Sequence, residues 1–122
     1  METRSLAVAA VAWFTAAPLF ANAQTRPVSG DAEAGRALAL MACTGCHVVL
    51  PTQPFKPVYV GSPHPPDFKD IAGNNWTPES LQRHLQNLPA VPQKAGMPNL
   101  DLTNKELRDV VAFIFTLRDN GR

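Results

Sequence analysis

Five consecutive residues, Cys43-Thr44-Gly45-Cys46-His47, constrain this chain more than any other stretch. They contain both of its cysteines, and a histidine follows the second directly. C-x-x-C-H is the attachment signature of a c-type haem. Two thiols about one helical turn apart can add to the two vinyl groups of one porphyrin. The next residue then places an imidazole beneath the iron as its proximal ligand. Thr44 and Gly45 are small enough to obstruct neither bond. A chain with this motif is expected to wrap a large, flat, apolar group.

With 122 residues there is room for one domain. Leu6 to Phe20 is an uncharged apolar run, flanked by Arg4 and followed by Ala21-Asn22-Ala23, which has the small-x-small form of a cleavage site. The run is short for a bilayer span of about 20 residues. Residues 1–23 therefore read as a secretory signal, an uncleaved membrane anchor being the alternative; both export the domain. Residues 24–30 read as a mobile lead, 31–119 as the domain and 120–122 as a tail. Losing Arg4 and Glu2 together leaves the net charge at +1, which gives no case for nucleic acid, a partner that asks for a clustered basic surface. Export would permit a disulfide, but a bridge across two intervening residues is strained and makes a poor staple.

Helical signals dominate the rest. Asp31 is an N-cap with Glu33 in the first turn, and apolar residues recur at Ala34, Leu38 and Met41, predicting a helix from about Ala32 into the motif. Gly35 within it costs about 1 kcal/mol against alanine, and suggests close approach of another helix. Six prolines between Val48 and Pro66 rule out a helix there. Val48–Leu50 and Val58–Val60 are expected as short strands of a small hairpin, in an ordered loop packed by Phe55 and Tyr59. A flexible linker is the alternative. Asp67 to Ala72 predicts a short helix. Thr77-Pro78-Glu79 starts a clearer one, with Leu81, Leu85 and Leu88 on its apolar face and Pro89 ending it. Thr103 to Glu106 is a capping box before a final helix to about Asp119.

A six-coordinate iron needs a ligand opposite His47. Met41 is tethered to the proximal side, whereas Met97 lies in a distant Gly-Met-Pro loop that can hold a thioether in place. Thioether ligation favours ferrous iron. His64, among prolines, and His84, expected on the solvated face of its helix, are the competitors.

The pieces GRALALMACTGCH, PPDFKDIA, TPESLQRHL, GMPNL and LTNKELRDVVAFIFTLR, in this order from about Asp31 to Leu117, resemble the small class I cytochromes c of bacteria. The resemblance implies an all-α fold of three to five helices wrapped around one covalent haem, with a long proline-rich loop after the motif. It implies thioethers at Cys43 and Cys46 and axial ligands at His47 and Met97. It further implies that the Pro66 carbonyl accepts a hydrogen bond from the proximal imidazole, that Trp76 lies near a haem propionate, and that Gly35 and Phe113 mark where the first and last helices cross. The stretch from Val48 to Pro65 is longer than in the smallest members.

The function implied is one-electron transfer in the periplasm, as a free shuttle or as a cytochrome subunit of a dehydrogenase or oxidase. The partners would be redox proteins of the periplasm or inner membrane, with no nucleic acid and no small-molecule substrate. Lys56, Lys69 and Lys94 either steer an acidic partner or serve as solubilising charges. A haem enzyme or gas sensor would need a displaceable sixth ligand. A thiol-redox or zinc protein would use Cys43 and Cys46 directly, zinc requiring further ligands such as His64 or His84.

Overall fold

Asp31 begins the first helix among the described residues because its carboxylate accepts from two amides that lack helical partners, Glu33 N at 3.0 Å and Ala34 N at 3.1 Å. The computed structural model describes residues 28–58, 64–90 and 96–119. These form four helices: α1 (Ala32–Ala42), α2 (Phe68–Gly73), α3 (Pro78–Gln86) and α4 (Asn104–Asp119). The expected signal over residues 1–23, the lead at 24–27, Tyr59, Val60, Lys94 and the tail at 120–122 lie outside the described residues.

The other helix starts also follow the sequence. Thr77 and Ser80 close a reciprocal capping box on α3, Ser80 N donating to Thr77 Oγ1 at 3.1 Å and Thr77 N to Ser80 Oγ at 2.9 Å, with Pro78 at the first position. Before α4, Thr103 N and its hydroxyl both donate to the Glu106 carboxylate, at 2.8 and 2.7 Å. These contacts hold the Glu106 carboxyl below the usual carboxylate range.

The last helix is the hub. α1, α2 and α3 each pack against α4 rather than against one another, among the described residues. Its buried residues, from Leu107 and Val110 through Phe115, form the centre of the core, joined by Ala39, Val49, Phe68, Ala72 and Leu81. Full burial of side chains such as Phe68 and Phe113 contributes about 1.5–3 kcal/mol each.

Gly35 answers its own cost. A Cβ there would collide with the Asp109 carbonyl and lie 2.7 Å from Val110 N, so only glycine lets α1 approach this near. The crossing thus falls at Asp109–Val110, one turn before Phe113. This corrects the expected Gly35–Phe113 pair: Phe113 instead meets Phe68, their centroids 6.3 Å apart. Asp109 fastens the crossing. Its buried carboxylate accepts from Asp31 N at 2.8 Å and from Lys105 Nζ at 2.6 Å. These donors hold its carboxyl below the usual range. Val28, the first of the described residues, packs against the core.

Two further expectations are corrected. Val48–Leu50 is coil, not strand, because a side chain takes the amides that a sheet would use. Gln53 Oε1 accepts from Val49 N at 2.8 Å and Leu50 N at 3.2 Å, while Gln53 N closes a turn onto Leu50 O at 3.1 Å. Val49 in this coil is fully buried. Phe55, expected to pack the loop, is 60% exposed, and its carbonyl accepts from Gln53 Nε2 at 2.7 Å.

Candidate functional site

The five-residue motif begins where α1 ends. Cys43 is the C-cap, its amide donating to Ala39 O at 2.9 Å. Cys46 N and His47 N both donate to Cys43 O, at 3.2 and 2.9 Å, closing one further turn. The Thr44 hydroxyl folds back on Leu40 O at 3.1 Å. That turn buries Cys43 and His47 and leaves Cys46 exposed at the edge of a cavity. Burial, and secondarily the neighbouring Cys46, push the Cys43 thiol up to about 11. A thiol-redox centre requires the opposite shift, toward thiolate at neutral pH.

His47 is oriented by the residue the sequence nominated. Its Nδ1 donates to Pro66 O at 2.7 Å. A carbonyl can only accept, so Nδ1 carries the proton and Nε2 keeps its lone pair for a metal. Phe68 packs on the ring at 5.6 Å between centroids, and Phe68 N donates to Val48 O at 2.9 Å. The two ends of the long proline-rich loop are thus joined next to His47.

The cavity has a volume of about 420 Å³, within the range of cofactor sites, and a mostly apolar lining. Cys46 and His47 contribute from the motif; His64, Pro65 and Pro66 from the end of the loop; and Ile71, Asn74 and Trp76 from α2 and the corner after it. Leu81, His84 and Leu85 contribute from α3. Gly96, Met97 and Pro98 complete it, so the cavity brings Met97 and His47 together across the chain. The Met97 loop is tied at its neck, Asn99 N donating to Pro89 O at 2.9 Å. The turn behind it places Asp101 at φ 52°, left-handed backbone that aspartate tolerates, with Asp101 N donating to Asn99 Oδ1 at 2.9 Å.

Trp76 is half-buried and lines the cavity, its ring 5.2 Å from that of His84. His84 is solvent-exposed, as expected, yet it also lines the cavity, as does His64. The signal was in the spacing: Leu81, His84 and Leu85 are i, i+3 and i+4, one face of α3. No three of His, Cys, Asp and Glu gather to hold a metal ion among the described residues. The cavity instead gathers the Cys46 thiol, an imidazole with Nε2 available and a thioether, while the Cys43 thiol lies buried one turn before Cys46. That chemistry fits a covalently attached haem.

A family model described as cytochrome c oxidase, cbb3-type, subunit III matches residues 30–114. No curated protein and no solved structure matches the chain.

Proposed function

The chain belongs to the cbb3-type cytochrome c oxidase subunit III family, whose members carry covalent c-type haem, and on that premise we propose that it is an exported carrier of single electrons with a His47/Met97-ligated iron. Cys43 and Cys46 would form the thioethers. The bound haem supplies the one-electron couple of its iron. The chain's own residues do the rest. Pro66 O fixes the His47 tautomer and ring plane and raises the basicity of Nε2. Met97, in its tied loop, supplies a ligand that favours the reduced state. The mostly apolar lining would give the haem a poorly hydrated surrounding.

One observation carries the proposal: an imidazole pre-oriented by the 2.7 Å bond to Pro66 O lines the same cavity as Met97. With His47 and Met97 both holding the iron, no position would be left for a substrate, which would suit a carrier rather than an enzyme. Its partners would be redox proteins of the periplasm or the inner membrane, and the family name points to an oxidase. Residues 1–23 would be the export signal and 31–119 the haem domain. No helix among the described residues is long and apolar enough to cross a membrane. Lys56 and Lys69 are exposed and available to an acidic partner.

The test is a pyridine haemochrome spectrum of the denatured protein, together with carbon monoxide addition to the reduced native protein. Covalent haem and slow or negligible carbon monoxide binding at neutral pH are expected. Rapid binding would instead support a gas sensor or haem enzyme with a displaceable sixth ligand. No covalent haem at all would defeat the proposal.

A further inference from the structure

We propose that Arg118, at the far end of α4 and outside the cavity lining, is a positioning residue for the cavity wall that carries Trp76, and through that wall sets the reduction potential. The proposal rests on the haem reading above and extends it. The Arg118 guanidinium gathers three backbone carbonyls from a single corner: Nε donates to Ala72 O at 2.7 Å, and one Nη donates to Asn74 O at 3.0 Å and Trp76 O at 3.2 Å. Beneath it lies the Phe115 ring, 4.4 Å from Cζ to centroid, which fixes the guanidinium plane.

The corner needs such a fastening. α2 has only six residues, and the carbonyls at its C-terminal end lack helical partners. A planar fork with donors at fixed angles can serve together the carbonyls of a helix end and of the bend that follows it, whereas an ammonium is a point charge on a flexible stem. Ile71, Asn74 and Trp76, on and beside this corner, line the cavity, and Trp76 continues the wall to α3 through its contact with His84. Releasing Ala72–Trp76 lets the wall move outward and admits water. A more polar cavity stabilises the more highly charged ferric state, so the potential falls.

Two variants separate positioning from simple charge. Arg118→Gln removes the charge and the fork; Arg118→Lys keeps the charge and loses the fork. In the haem-loaded protein, both are expected to shift the reduction equilibrium toward the oxidised form by about three- to tenfold, tenfold being about 59 mV for a one-electron couple. Both are also expected to raise Trp76 emission, measured as the difference from a matching Trp76→Phe protein, as the indole moves from the quenching haem. Readings are taken well below each melting midpoint, which is recorded separately. A variant that is less stable but keeps wild-type potential and emission would show a purely structural Arg118 and overturn the proposal. So would a wild-type potential in Arg118→Lys beside a shifted Arg118→Gln, because charge alone would then suffice. Wild-type protein without covalent haem in the pyridine assay would overturn the haem reading itself, a distinct result.

Discussion

Replacing Gly35 with alanine tests the geometry on which the domain is assembled. The added methyl carbon would meet the carbonyl group of Asp109 and the amide nitrogen of Val110, all inside ordinary contact distance. These are backbone atoms of α4, and no rotamer change removes them. The helices must separate. A gap of about 0.5–1 Å forfeits a quarter to a half of the dispersion energy of the atoms that line it. Separation also strains the 2.8 Å bond from Asp31 N to Asp109. Overpacking of this kind costs about 1–3 kcal/mol, occasionally more, and the rigid obstacle puts Gly35 at the upper end. Alanine returns about 1 kcal/mol of helix propensity. The net loss is about 2 kcal/mol, which lowers the melting temperature by about 8–16 °C for a domain of this size. Gly73→Ala is the control. A Cβ at Gly73 meets nothing within 4 Å, and Gly73 is the last residue of α2, so that variant is expected to be neutral or slightly stabilised. Circular dichroism melts of the haem-loaded proteins decide it. If Gly35→Ala melts with or above wild type, the close crossing at Asp109–Val110 is wrong.

Asp109→Ala leaves Asp31 N without its acceptor and is expected to cost about 1–3 kcal/mol in denaturant melts at neutral pH. The Asp109 carboxyl is held below its ordinary value of 3.8 in the folded state, so its contribution is full above that value and lost as pH falls through the lower folded one. The gap between wild type and Asp109→Ala should therefore be constant near neutrality and close in strong acid; a gap that widens on acidification would contradict the assignment. Thr77→Ala removes the cap of α3 and is expected to lower stability by about 1 kcal/mol, seen as a shift in denaturant midpoint without change in slope. Lys105 is held above its ordinary 10.5 by the bond to Asp109, so Lys105→Met should lose stability near neutral pH and converge on wild type only at strongly alkaline pH.

What the sequence made legible was local. Asp31, Thr77 and Thr103 cap their helices because side-chain oxygens within three residues of orphan amides announce the start of a helix. The attachment motif and the Gly-Met-Pro loop could be read because their chemistry depends on residue type and spacing. Gly35 signalled a close crossing but not its register, since neighbouring turns of α4 present equivalent faces to α1. Val48–Leu50 misled because β-branched residues favour strands, yet one amide side chain, Gln53, takes two of their backbone donors. Arg118 was invisible as a fastening: its partners are carbonyls 42 to 46 residues away, and carbonyls carry no sequence signature. Asp109 hid its role likewise, its key donor being the amide of a residue 78 positions earlier.

The central claim is that His47 and Met97 close one haem iron from both sides. The most direct measurement is the weak far-red methionine–iron charge-transfer absorption of the oxidised protein, compared between wild type and Met97→Ala. The band should be present in wild type and absent in Met97→Ala, with the haem still covalently attached in both. A wild-type spectrum without the band, or a band that survives in Met97→Ala, would contradict the account.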